Sequence, residues 1–222
     1  MIIEVTGPIA SGKTTLVKNL DRDDVIKSRK LKNKRKINYM KFMISSKFFR
    51  KNFFLILRVS WLTKWKTTHA FKEIVHYLYH AEKFDRENKL ALWEEGIVCR
   101  FLNISDKDGF KQVTRLRKKI IKKYPTAVII VELKNNLIRI ERLKKRNEKN
   151  GKELLEKDGP LKHVTRHYKM VNEDIKKSII PLKDQLVELR KIYNDSEFQK
   201  GLNKFNKAVE IVEKKGFEKK LI

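Results

Sequence analysis

The sequence contains a single cysteine, Cys99, among its 222 residues. One thiol cannot form an intramolecular disulfide, and a chain with a single cysteine cannot build a zinc site from several cysteines. The apolar run from Phe53 to Leu57 is far shorter than the roughly 20 residues that a membrane-spanning helix needs. The N-terminus also lacks the basic, apolar and small-residue regions of a secretory signal. We therefore expect a cytoplasmic protein, and peripheral association with a membrane stays open.

Acidic side chains are scarce relative to basic ones. The chain has 27 Asp and Glu residues against 54 Lys and Arg residues, which gives a formal net charge of +27. A field of this strength favours polyanionic partners such as nucleic acid, anionic lipid or a phosphorylated glycan. Seven of the ten residues from Lys27 to Lys36 are basic, and such runs attract phosphates without reading sequence. A generally lysine-rich composition and a solvated loop are the alternatives.

The residues from Gly7 to Thr14, GPIASGKT, match the pattern G-x-x-x-x-G-K-[ST] of a phosphate-binding P-loop. The two glycines let the backbone turn tightly and approach a ligand. In such loops backbone N–H groups hold phosphate oxygens, the lysine contacts the β- and γ-phosphates, and the threonine hydroxyl reaches Mg²⁺. An apolar strand over residues 1–6 and a helix from Thr14 supply the required order of elements. We predict that nucleotide phosphates contact Gly7, Ala10, Ser11, Gly12, Lys13, Thr14 and Thr15.

A second apolar stretch, residues 89–93, ends in Glu94, Glu95 and Gly96. Where a sheet carries a P-loop, the neighbouring strand ends beside that loop. A carboxylate there can support Mg²⁺ or accept a proton from an attacking group. We predict a catalytic role for at least one of these glutamates and place Glu94 on the metal side, while the identity of the base stays open. Arg100 is a candidate for binding an anionic substrate or the transferred phosphate.

Residues 39–88 contain neither proline nor glycine and are predicted to form two helices that break near Thr67 and Thr68. At 100° per residue, one stripe of the first helix carries Lys47, Arg50, Lys51, Phe54, Arg58, Trp61 and Trp65. Interleaved cations and aromatic rings suit a membrane–water interface, and they also suit a nucleic-acid or glycan groove. Arg58 is accordingly a candidate substrate-binding residue. Core packing with solvated cationic head groups is the alternative.

The β-branched run from Thr126 to Leu133 predicts a parallel strand that is buried on both faces. The helix predicted over residues 137–146 places Arg139, Arg142 and Arg146 on one face, and polar residues up to 160 complete a candidate lid. Arginines on a lid can close over phosphates and neutralise developing charge, which makes Arg142 and Arg146 candidate catalytic residues. A solvated helix face is the alternative. Further helices are predicted over 106–123, 160–180 and 197–215, and a last strand over 186–193.

The order of these motifs resembles the P-loop kinases of the nucleoside and nucleotide kinase group, thymidylate kinase-like in the broad sense. The resemblance covers most of the chain and rests on Gly7–Thr15, Glu94–Gly96 with Arg100, and Arg142 with Arg146. It implies an α/β, three-layer P-loop NTPase fold with a five-stranded parallel sheet, helices on both faces and an Arg-bearing lid. It also implies ATP on the loop and an adenine bordered by residues 193–196.

One departure from that family concerns the acceptor. Thymidylate kinases carry an Asp-Arg pair after the third strand and deoxynucleoside kinases a Glu-Arg pair, whereas this chain has Glu-Glu-Gly with Arg100 four residues beyond the glycine. That pattern is similar to less-defined kinase-like P-loop proteins, some of them associated with surface-glycan pathways.

We therefore expect a single domain over residues 1–222, with an acceptor-side helical region over 39–88 and a lid over 137–160. The expected activity is an ATP- and Mg²⁺-dependent phosphotransferase that acts on a hydroxyl or phosphate acceptor, nucleoside, nucleotide or sugar-like. One alternative is a nucleic-acid-directed P-loop NTPase or polynucleotide kinase. Another is a membrane-surface kinase of an anionic glycan or lipid. Basic residues 27–66 could engage nucleic acid or an anionic membrane, and a homodimer stays open.

Overall fold

The computed structural model describes residues 1–8, 11–20, 22, 25–27, 36–62, 67–94, 96–97, 107–133, 135, 137–138, 141–142, 145, 173, 179–194 and 198–220. Most of the basic run 27–36, most of the predicted lid and most of the helix predicted over 160–180 therefore lie outside the described residues.

One parallel sheet forms the centre of the molecule. Its strands are β1 (Ile2–Thr6), β2 (Val25–Lys27), β3 (Leu90–Glu94), β4 (Thr126–Glu132) and β5 (Leu189–Tyr193), in the spatial order β2-β3-β1-β4-β5. All pairings between neighbours are parallel. Every residue of β1 and of β4 is buried, as expected for strands covered on both faces. The predicted α/β class with a parallel sheet is confirmed.

The helices of the described chain are α1 (Lys13–Lys18), α2 (Lys36–Ser45), α3 (Lys47–Leu62), α4 (Thr67–Arg86), α5 (Lys107–Lys123) and α6 (Phe198–Lys220). A 3₁₀ helix, Ile180–Gln185, precedes β5. It contains Pro181, which was predicted to end the preceding helix, and β5 begins only at Leu189 rather than at residue 186. No helix among these described segments is both long enough and apolar enough to cross a membrane.

Among the described residues, three hydrophobic clusters pack against the sheet, and the two largest form cores on its opposite faces. Successive strand residues point to opposite faces, so Ile2 and Trp93 join the core beneath α3, α4 and α5. Ile3 and Leu92 join the core beneath α1 and α6. Helices thus cover both faces, an arrangement compatible with three layers.

The prediction of two helices over residues 39–88 needs one correction. A break near Thr67 is present because α4 begins there, but a second break at Ser46 separates α2 from α3. The Ser46 hydroxyl accepts a hydrogen bond from the backbone N–H of Phe49 at 3.3 Å, as an N-cap does, and donates to Glu82 at 2.5 Å. The sequence did not predict this helix boundary, because neither proline nor glycine lies next to Ser46.

Candidate functional site

The described part of the loop between β1 and α1 contains two backbone conformations with positive φ, and both occur at glycines. Gly7 has a φ of 147° and Gly12 a φ of 89°, a range that side chains disfavour. A Cβ atom on Gly7 would collide with the carbonyl oxygen of Val131 on β4, and one on Gly12 would lie 2.5 Å from the amide nitrogen of Asn194. Gly12 is also the N-cap of α1, which begins at Lys13, one residue before the predicted start, so the positive end of the helix dipole faces the loop.

Lys13, the first residue of α1, reaches back over the loop. Its half-buried ammonium group donates to the carbonyl oxygens of Gly7 at 3.1 Å and Pro8 at 3.4 Å. A positive charge is thereby held against the first two residues of the loop. An anion that bound at the loop would meet the lysine and the helix N-terminus together.

Thr14 and Glu94 meet beside the loop although 80 residues separate them in the sequence. The Thr14 hydroxyl donates to the Glu94 carboxylate at 2.7 Å, and both side chains are half-buried. Glu94 is the last residue of β3 and pairs in register with Val5 of β1. The structure thus brings together a hydroxyl and a carboxylate oxygen, the hard ligands that Mg²⁺ prefers.

The strand order predicts a crevice beside this pair. After β1 the chain crosses β3 to form β2, whereas after β3 it crosses β1 to form β4. Connections that leave two adjacent parallel strands in opposite directions open a crevice at their carboxyl ends, where α/β proteins bind ligands. The loop and Glu94 lie at the ends of these two strands.

Two side chains from the other half of the protein hold the loop. Asn194, which follows β5, donates from its amide nitrogen to the Ser11 carbonyl at 2.9 Å, while its own backbone N–H donates to the Glu132 carbonyl at 2.8 Å. Arg142 donates to the carbonyls of Ser11 at 3.4 Å and Asn194 at 3.3 Å. Arg142 of the predicted lid therefore lies against the loop between β1 and α1.

An ion pair connects the end of β4 with the middle of β5. Lys191 lies 2.7 Å from the Glu132 carboxylate. Burial tends to lower the pKa of Lys191, but the hydrogen bond and negative charge of Glu132 outweigh it and hold that pKa above its ordinary value. The lysine therefore stays charged and supports the turn that carries Asn194.

A buried carboxylate lies beneath the turn after β3. Glu4, in the middle of β1, is fully buried and accepts a hydrogen bond from the Tyr77 hydroxyl at 2.9 Å. A Cβ atom on Gly96 would collide with the Glu4 carboxylate, which explains the glycine after the two glutamates. Sequence reasoning missed Glu4, although a charged residue inside an otherwise apolar strand was a usable signal.

Of the remaining predicted site residues, some lie in the described part of the chain and others do not. Ser11 is buried with its carbonyl committed to Asn194 and Arg142, and the Thr15 side chain is exposed. Arg58 lies on α3 and pairs with Asp108 of α5 at 2.9 Å, so its observed contact is with another helix rather than with the loop. The predicted residues that lie outside the described part of the chain are Ala10, Glu95, Arg100, Arg139 and Arg146.

Within the described ranges, no group of three or more His, Cys, Asp and Glu side chains could enclose a metal ion. Such a cage is unnecessary for Mg²⁺ bound with a nucleotide, because water and phosphate oxygens supply most of the ligands. Thr14 and Glu94 could supply the few protein ligands that such an ion needs.

We predict that Asn194→Ala destabilises the protein by about 1–3 kcal/mol, because the buried Ser11 carbonyl loses its amide donor. Chemical denaturation of the purified protein measures this change in the free energy of unfolding. Asn203→Ala is the matched control, since Asn203 is exposed on α6 and should change stability by less than about 0.5 kcal/mol. Equal effects of the two substitutions would show that Asn194 does not secure the loop.

No protein-family model matches the sequence, and no curated protein matches it either. The functional assignment therefore depends on the geometry of the chain itself.

Proposed function

We propose that this protein is an ATP- and Mg²⁺-dependent phosphotransferase with a P-loop NTPase fold and an Arg-bearing lid. The acceptor is a small molecule with a hydroxyl or phosphate group, nucleoside, nucleotide or sugar-like. The observation that carries the proposal is the 2.7 Å contact between Thr14, which follows the loop lysine, and Glu94 at the end of the adjacent strand.

The loop binds the phosphates of the donor. Backbone N–H groups between Gly7 and Thr14 contact phosphate oxygens, and Lys13 exchanges its two carbonyl partners for the β- and γ-phosphates. The exchange is favourable because a charged phosphate is a better acceptor for an ammonium group than a carbonyl oxygen. The N-terminus of α1 adds its partial positive charge.

Thr14 and Glu94 would hold Mg²⁺, with Glu94 acting directly or through water. Bound there, the ion would neutralise charge on the β- and γ-phosphates as the phosphoryl group departs. The same residues orient the donor before the reaction, because their positions are fixed by β1, β3 and α1.

Arg142 is one of the described residues of the proposed lid. Its guanidinium group lies against the Ser11 carbonyl and would also lie 3.2 Å from a Cβ atom on Gly12, so it borders the phosphate site. From this position it can stabilise negative charge on the transferring phosphoryl group, and Arg146 is its predicted companion. A hydroxyl acceptor must also lose a proton, and one of the two glutamates, Glu94 or Glu95, is proposed to accept it.

We predict that Lys13→Ala lowers kcat/KM for phosphoryl transfer by roughly 10²-fold or more, because the charge nearest the β- and γ-phosphates is lost. The assay measures ATP consumption with Mg²⁺ and a panel of sugars, nucleosides, nucleoside monophosphates, and RNA and DNA ends. Lys18→Ala is the matched control, since Lys18 is exposed at the other end of α1.

Both lysine variants should unfold at nearly the wild-type denaturant concentration, because neither side chain belongs to a core cluster. Full turnover by Lys13→Ala would exclude the phosphotransferase assignment. Transfer only to nucleic-acid ends would replace the small acceptor by a polynucleotide.

We also predict that Thr14→Ala and Glu94→Gln each raise the Mg²⁺ concentration for half-maximal activity roughly ten- to a hundredfold. The double variant should lose less than the product of the single effects, because both side chains serve one ion. Titration of Mg²⁺ at saturating ATP measures all three variants. Glu87→Gln and Thr68→Ala, at exposed positions, are the matched controls. If the effects of the two single substitutions multiplied in the double variant, Thr14 and Glu94 would act independently, which would contradict a shared ion.

A further inference from the structure

The outward face of α3 is both aromatic and cationic. We define the α3 face as the exposed residues Lys47, Arg50, Lys51, Phe54, Leu57, Arg58 and Trp61. The opposite side of the helix carries the buried residues Phe49, Asn52, Ile56, Val59 and Ser60. Phe54 is 84% exposed and Trp61 80% exposed, so core packing does not explain these two rings.

Exposed apolar side chains are concentrated in this part of the molecule. Seven large hydrophobic side chains are exposed in the described chain, and five of them lie between residues 40 and 61: Met40, Ile44, Phe54, Leu57 and Trp61. Single exposed apolar residues are common on protein surfaces, whereas a concentration of large ones marks an interaction site.

The charge on the α3 face is of one sign. The helix contains no Asp or Glu between Lys47 and Leu62. Arg58 pairs with Asp108, but Lys47, Arg50 and Lys51 form no ion pair within the described residues. A partner of this face therefore combines negative charge with an apolar layer.

We propose that the α3 face docks on the surface of an anionic lipid bilayer. Trp61 and Phe54 would sit at the headgroup level, while the cations contact lipid phosphates. The helix lies flat, since its other side remains in the core, and the stretch from Lys47 to Trp61 covers about 21 Å of surface. This docking does not depend on the proposed phosphotransferase activity.

The aliphatic residues favour lipid over nucleic acid. Aromatic rings and cations serve both partners, because rings stack on bases and cations bind phosphodiesters. Leu57 on the α3 face, and Met40 and Ile44 on the preceding helix α2, have no flat face to stack, whereas each gains free energy on entering the boundary between headgroups and acyl chains. Nucleic acid is therefore the competing outcome of the test.

Vesicle flotation with the full chain tests the docking directly. Phosphatidylcholine vesicles, with and without phosphatidylglycerol, are mixed with the protein in the absence of ATP. We expect binding only to the anionic vesicles, with a blue shift of tryptophan emission that Trp61→Phe reduces. Phe54→Ala/Trp61→Ala and Arg50→Glu/Lys51→Glu should each weaken binding roughly tenfold or more.

The matched control is Lys207→Glu/Lys214→Glu, which makes the same change in net charge at exposed positions of α6. This control should retain most of the binding. An equal loss in the control would overturn the proposal, because the attraction would then come from net charge alone. Failure to bind anionic vesicles, or RNA or DNA binding that requires Phe54 and Trp61 in place of vesicle binding, would overturn it as well.

Discussion

The pairing of β1 with β3 and β4 is the constraint on which the rest of the structure depends. All five residues of β1 are buried, so the strand can neither slip nor reach solvent without exposing both cores. Its parallel register sets Val5 beside Glu94 and Thr6 beside Ile130. The loop after β1 and the carboxylate that ends β3 consequently lie side by side. The contact between Thr14 and Glu94 is therefore a consequence of the way the strands pair.

The loop itself is held from the opposite side of β1. The Val131 carbonyl lies where a Gly7 side chain would be, and Asn194 and Arg142 both donate to the Ser11 carbonyl. Strands β4 and β5 therefore position the loop, whereas β3 supplies the carboxylate. The loop glycines, Gly7 and Gly12, keep backbone angles that side chains disfavour.

Local patterns in the sequence predicted the parts that depend on local chemistry. The glycines of the loop, the helix after it, the buried strand β4 and the glutamate at the end of β3 were all found this way. Contacts over long separations were not, since nothing local links Asn194 to Ser11 or Glu4 to Tyr77. The cationic and aromatic stripe of α3 was also found from the sequence, but its periodicity left open whether the rings pack in the core, and the structure shows Phe54 and Trp61 exposed.

Calorimetric titration of the wild-type protein with ATP, in Mg²⁺ and in EDTA, tests the central claim most directly. The claim is that the loop and the Thr14–Glu94 pair form a site for a nucleotide with its metal ion. We expect one ATP to bind per chain, and to bind more tightly with Mg²⁺ than with EDTA. The absence of saturable binding in both buffers, or an affinity for ATP that Mg²⁺ does not change, would contradict it.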